Sequence, residues 1–323
     1  MDTFATVDKA TIIDSRGVSY IDFRNRLAPK YGKVWLDIFT GYAALCAVLF
    51  LAVYFQKSHS HWFFLAIPAG GILIGYIVSA LHLFIHEASH YHLAADRKQN
   101  DLLSNIFLGS LVGMDVQFYR TVHFAHHRLL GTVHDTEKSY FDAITWSYVI
   151  ELLTGIRVMK VIAHRNKNIK LNDGLGTGSE IIKKNNKMFF VAAILNLALV
   201  MAFFISGFWQ AALAWMIGLG VAFPFLATFR QILEHRSAGA SAAIDYNKVN
   251  HGVVHRMFGD GPIASTLGPA GFNRHLLHHW DPQVSYTRLK EVEDFLKDTP
   301  LGKEQQASQT TYFKTFISLL KTQ

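Results

Sequence analysis

The stretch WFFLAIPAGGILIGYIVSALHLFI, residues 62–85, carries no charged side chain and runs directly into HEASH, residues 86–90. At 1.5 Å rise per residue its 24 residues make a helix of about 36 Å, enough to cross a hydrocarbon core of roughly 30 Å. Three further stretches lack Asp, Glu, Lys and Arg: Ile38 to Phe55, Met188 to Ser206 and Phe208 to Phe229. Together they predict transmembrane helices over about 36–55, 62–85, 188–206 and 208–229. The connections Gln56 to His61 and Gly207 are too short to hold a domain, so the helices pair into two hairpins.

Charge placement orients this arrangement. Of the 31 Lys and Arg, 30 lie before the first helix, between the hairpins or after the last helix, and only Lys57 lies in a hairpin turn. The positive-inside rule then puts both termini and the central segment in the cytoplasm. The basic balance, pI near 9.3, is therefore read as membrane topology, and nucleic acid is not expected as a partner. Core helices of a large soluble protein are the competing reading, and this sorting counts against it. Met1 to Leu36 is polar and mixed in charge, without the pattern of a signal peptide. The expected fold is all-α and integral to the membrane. It is one domain over 1–323, with a cytoplasmic helical cap formed by 86–187 and 230–323.

Composition agrees. Half of the 323 residues are hydrophobic and 17% are charged, against roughly a quarter in a soluble domain, which excludes disorder and an ordinary soluble surface. Within the cap, Leu102 to Phe118 and Trp146 to Ile162 are apolar with scattered charge and suit helices lying at the membrane interface. His164 to Lys187, with Gly174, Gly176 and Gly178, reads as a flexible connector, and Thr311 to Leu320 as a final amphipathic helix.

The chemistry is written in histidine. One cysteine, Cys46, cannot form a disulfide within the chain or a thiolate cage. The 17 histidines cluster instead: His86-Glu-Ala-Ser-His90, His123-Phe-Ala-His126-His127 and His275-Leu-Leu-His278-His279. At this histidine content a given HxxHH pattern is expected roughly 0.05 times by chance, so two copies are not compositional noise. On a helix, positions i, i+3 and i+4 share one face, and each cluster projects its imidazoles one way. All three clusters fall on the cytoplasmic side of the predicted helices and can converge. His235, where the last helix leaves the bilayer, offers a ninth nitrogen; His251 and His255, also spaced i, i+4, are alternatives for it. Eight or nine imidazoles are too many for one metal. They imply two, and imidazole without thiolate suits iron, so the site is read as oxidative and O₂-using.

These HX3H, HX2HH and HX2HH boxes, their placement after the second and fourth helices, and Glu234-His235 between the second and third boxes resemble the membrane fatty acid desaturase superfamily. The likeness runs from about Leu36 to Leu289 and includes His126-His127-Arg-Leu-Leu-Gly131-Thr, Asp135, Asn273, Pro282 and Tyr286. It implies four transmembrane helices, a cytoplasmic cap and a non-haem di-iron centre. Its ligands would be His86, His90, His123, His126, His127, His235, His275, His278 and His279. The activity implied is O₂-dependent desaturation of a fatty acyl lipid. His275 stands where front-end desaturases often have Gln, which argues against that subgroup, and Trp280-Asp281-Pro282 departs from many relatives.

The same centre could hydroxylate, so a lipid, carotenoid or alkane hydroxylase or ketolase is the alternative. A non-catalytic metal store or transporter is a further one, weakened because no box falls mid-bilayer. There is no Cys set for a fused ferredoxin and no His-Pro-Gly-Gly haem signature, so electrons must come from a ferredoxin, rubredoxin or cytochrome b5 with its reductase. Glu87, Asp101, Asp135 and Glu234 are candidates for orienting the imidazoles. His82 reads as a buried neutral histidine, His92, His134 and His164 as surface or supporting residues, and His59 and His61 as polar residues of the outer turn.

Overall fold

The computed structural model describes residues 4, 6–58, 63–137, 140, 142, 144–173, 186–237, 239–241, 243–246, 248–250 and 255–321. Among these the chain is helical with no strand, only isolated bridges between Ile13 and Ser19 and between Met257 and Gln309. In chain order the first helices are α1 (Tyr20–Asn25), α2 (Tyr31–Lys57), α3 (Phe63–Ser89), α4 (Arg97–Ser104), the short turn α5 (Ser110–Val112) and α6 (Val116–Leu129). They are followed by α7 (Trp146–Leu153), α8 (Ile156–Asp173), α9 (Lys187–Ile205), α10 (Trp209–Ile217) and α11 (Phe223–His235). The chain ends with α12 (Pro262–Leu267), α13 (His275–Trp280), α14 (Leu289–Lys297), α15 (Gly302–Ala307) and α16 (Tyr312–Lys321).

Four spans are long and apolar enough to cross a membrane: Tyr31–Lys57, Leu65–Ser89, Lys187–Ile205 and Trp209–His235. The second is central, with 56% of its apolar window buried, against 22%, 6% and 22% for the first, third and fourth. Small residues allow this. A Cβ on Gly75 would lie 2.4 Å from the Ala222 Cβ, and one on Gly218 would lie 2.5 Å from Ile74 Cγ2, so α3 and the fourth span meet almost backbone to backbone. Where they meet, Gly218–Ala222 forms a turn of π-helix between α10 and α11, which shifts the helical phase below it. Asn196 of α9 accepts from Trp215 Nε1 of α10 at 2.9 Å and donates to the Leu111 carbonyl at 3.0 Å. Gln56, at the end of α2, donates to the Gly207 carbonyl at 2.5 Å.

The structure moves several predicted boundaries. The second span runs through His86 to Ser89 and the fourth through Arg230 to His235, so His86 and His235 sit on the closing turns of the spans themselves and His90 directly follows. Neither predicted interfacial helix is continuous. The first breaks at Gly113, left-handed at φ 76°, before Asp115 caps α6 by accepting from the Phe118 amide at 2.9 Å. The second breaks at Gly155, also at φ 76°. The apolar faces are nonetheless exposed, as an interfacial placement requires: Trp146, Ile150, Ile156 and Met159 all lie open. The connector is helical through Asp173, and residues 174–185, with its three glycines, lie outside the described residues. The terminal helix forms as expected, burying Tyr312 and Leu319 and exposing Phe313.

Candidate metal centre

Three elements bring the boxes together. The second box is on α6, whose i, i+3, i+4 spacing turns His123, His126 and His127 inward. The third forms the single helix α13. The first closes α3, where His86 is helical and His90 follows the last turn, after which Tyr91 takes a left-handed φ of 64°.

Two arginines anchor the span ends that carry histidine. The last carbonyls of a helix lack partners within it. Arg120 donates from Nε to the Ser89 carbonyl at 2.8 Å and from Nη2 to the Ala88 carbonyl at 3.1 Å, and Asp101 holds its guanidinium at 2.5 Å. Arg256 does the same for α11, donating from Nη1 to the Leu233 carbonyl at 2.9 Å and from Nη2 to the Arg236 carbonyl at 2.5 Å. Asp101, a candidate for orienting an imidazole, therefore orients Arg120 instead.

All nine predicted histidines converge. His86, His90, His123, His127 and His278 form one group, each offering a nitrogen, with those atoms all within 4.8 Å of one another. His126, His235 and His279 form a second, and His235 with Glu234 and His275 a third that shares it. The Nε2 atoms face each other directly: His90 to His123 at 3.0 Å, His123 to His127 at 2.8 Å and His127 to His278 at 3.2 Å. On the other side His235 meets His275 at 2.9 Å and His275 meets His279 at 3.1 Å. The His127 and His279 rings, 4.3 Å apart, link the two sides.

Burial pushes the pKa of His90, His123, His127, His275, His278 and His279 down, and the neighbouring imidazoles push the same way, opposed at His123 by the Glu137 carboxylate. They are neutral at physiological pH. Where Nδ1 donates outward, as His126 does to Asp135 at 2.9 Å, Nε2 carries a lone pair. His86 Nε2 is buried without a hydrogen-bond partner, which native interiors rarely tolerate. Converging lone pairs on neutral, buried imidazoles fit a bound cation, and these residues could hold a metal.

Carboxylates stand behind them. Asp135, fully buried, also accepts from the Tyr140 hydroxyl and from the Glu137 amide at 2.7 Å, and its carbonyl meets His164 Nε2 at 3.1 Å. Burial and the Asp135 charge push the Tyr140 hydroxyl up, keeping it a donor. Glu87 lies 3.4 Å from His86 Nδ1, 3.0 Å from His92 Nδ1 and 3.2 Å from the Tyr286 amide. Glu234 is paired to Arg230 at 2.6 Å and lies 3.9 Å from His275. His92 is thus a buried supporting residue rather than a surface one.

His255 stacks on His279 with ring centroids 4.6 Å apart, but none of its atoms belongs to a converging group, and burial pushes its pKa down to about 3. His251, His59 and His61 lie outside the described residues. Sequence reasoning missed Glu137, whose carboxylate lies 4.0 Å from His123 Nδ1 and accepts from Gln231. It sits in a loop without periodicity, and its only signal is its position two residues after Asp135.

Two cavities with a shared wall lie at this place. A chamber of about 30 Å³, room for one or two water-sized groups, is lined by His86, His123, His126, His235, His275 and His279. Beside it an apolar cavity of about 580 Å³ lies between α6, α8, α9 and α11, lined by Phe118, Val158, Ile162, Phe189, Phe223 and Ala227. His82, half-buried with its ring 5.5 Å from that of Phe223, faces this second cavity.

The sequence pattern of the fatty acid desaturase family matches residues 60–311, which include every histidine of the three groups. The chain belongs to the fatty acid desaturase family. No curated protein sequence matches it. For a fatty acid desaturase family member, the four apolar spans are those of a membrane protein, and the histidine groups support a function of the desaturase or oxygenase kind.

Proposed function

We propose that the chain is an O₂-dependent acyl-lipid desaturase, with His86, His90, His123, His127 and His278 holding one iron and His126, His235, His275 and His279 the other. The observation that carries this is that the 580 Å³ apolar cavity and the histidine chamber share one wall, Tyr119, Glu137, Arg230 and Gln231, so that a hydrocarbon chain in the former would lie close to the converging nitrogens. Bound iron would supply O₂ reduction: one hydrogen leaves each of two neighbouring methylenes, and with two external electrons and two protons the oxygen ends as two waters. The protein's own part is placement. Phe118, Phe189 and Phe223 confine the chain and exclude water, while Asp135 fixes the His126 imidazole and Glu87, bonded to His92, backs His86 from 3.4 Å.

Residues 1–323 form one functional domain in this reading, with both termini and the histidine centre on the cytoplasmic face, where a ferredoxin, rubredoxin or cytochrome b5 delivers electrons. Hydroxylation through the same centre is the second reading. It is favoured by the polar side chains Glu137 and Gln231 beside the chamber, which suit a product that keeps oxygen. Metal analysis of the purified protein together with lipid mass spectrometry of an expressing host tests both. Nine imidazoles should bring about two irons per chain, and host lipids should lose two hydrogens. A gain of one oxygen instead selects the hydroxylase, and zinc alone with unchanged lipids refutes the oxidative reading.

A further inference from the structure

The wall between the two cavities is polar where a plain hydrocarbon would call for apolar groups. Tyr119, Glu137, Arg230 and Gln231 line both the apolar cavity and the histidine chamber. Glu137 and Gln231 bond to each other, and Tyr119 stacks on His123 at 5.5 Å. Arg230 differs. Its Nη1 donates to both oxygens of Glu234 at 2.7 and 2.6 Å, its guanidinium lies 4.3 Å over the Phe272 ring, and its Nε is buried without a hydrogen-bond partner. That Nε is too enclosed for a ligand to reach, but Nη2, which makes no hydrogen bond among the described residues and is not enclosed, is a charged donor that a ligand at this wall can meet.

The ligand's chemistry follows from the pair. A guanidinium N–H needs an oxygen lone pair. Glu234 already cancels the charge of Arg230, so a carboxylate brought to this corner meets Glu234 as well, and a neutral hydroxyl or carbonyl oxygen suits it better. The other end of the cavity sets the source. Phe189 and Phe190, in the first turn of α9, line it and are 59% and 60% exposed on the flank of a span, so a lipid already dissolved in the membrane can enter sideways.

We infer that the substrate is a membrane lipid carrying a neutral acceptor oxygen within a few bonds of the carbon that reacts, and that Arg230 is the specificity-determining residue that holds this oxygen. The inference takes from the oxidative reading only what occupies the chamber; binding at Arg230 is tested without turnover.

The protein as purified, in phosphatidylcholine nanodiscs, is photolabelled with a diazirine-bearing hexadecane chain, and labelling of the Val158 and Phe189 peptides is read by mass spectrometry. Hexadecane, 1-hexadecanol and palmitate compete, each scaled to its mole fraction in the bilayer. Hexadecanol should displace the label at least about tenfold better than hexadecane, the size of a hydrogen bond to a charged group, and palmitate no better than hexadecanol. Arg230→Met with Glu234→Gln, which removes both charges together, should bring hexadecanol to within about threefold of hexadecane. Equal displacement by hexadecane and hexadecanol in the wild type, tighter palmitate, or a preference that survives in the folded double variant overturns the inference. The wild-type comparison decides by itself if the double variant fails to fold. Missing oxidised lipid in the same preparation would count against the oxidative reading and leave this result standing.

Discussion

The two sides of the histidine centre draw on the same boxes but are backed differently. The side with His86, His90, His123, His127 and His278 has five nitrogens and distant carboxylates, with Glu87 at 3.4 Å and Glu137 at 4.0 Å. The side with His126, His235, His275 and His279 has one nitrogen fewer, but Asp135 bonds His126 directly at 2.9 Å, while Glu234 stands 3.9 Å from His275. A hydrogen-bonded carboxylate raises the basicity of an imidazole and locks its tautomer. Fewer nitrogens on one side are thus offset by stronger support, whereas the other side relies on number.

The largest expected effect comes from removing a nitrogen on either side. His278→Ala and His275→Ala should each lower product more than about 100-fold, beyond the loss expected of a supporting residue. If the sides bind independently, each variant keeps about one metal per chain; loss of all metal in either would show that the sides form one unit. Next come the supports. Asp135→Asn should lower metal affinity about 10- to 100-fold, measured by chelator competition, and Glu87→Gln should do less. Equal effects would erase the contrast drawn above.

A smaller effect tests the scaffold that holds both sides in register. Gly75→Ala places a Cβ against Ala222, and should destabilise by about 1–3 kcal/mol, seen as a lower melting temperature with metal content kept. An unchanged melting temperature would mean the fourth span shifts freely against α3. The smallest effect belongs to His255→Ala. Because His255 lies outside all three converging groups, metal content should stay the same and activity should change by no more than about twofold. A metal loss comparable to that of His235→Ala would move His255 into the centre.

Much of this was legible in residues alone. The spans follow from charge-free length, since a bilayer leaves few other uses for four uncharged stretches of 18 to 24 residues. The eight box histidines follow from spacing, because helical periodicity is local: His123, His126 and His127 share a face whatever surrounds them. Span ends were harder. Charge ended the predicted fourth span at Phe229, yet Arg230 and Glu234 continue the helix because each neutralises the other. Arg120 and Arg256 were invisible as caps, since the carbonyls they meet lie 31 or 32 and 20 or 23 residues away.

By itself, then, the sequence determined the helical class, the four apolar spans and which imidazoles share a face, because each depends on length, charge or local period. Only the tertiary structure decided how nine histidines divide into two sides, that His235 rather than His255 joins them, and that Arg230 lies between an apolar cavity and the histidine chamber. Those outcomes depend on how helices distant in sequence approach, which the glycines at 75 and 218 and the π-turn at 218–222 set through backbone contact.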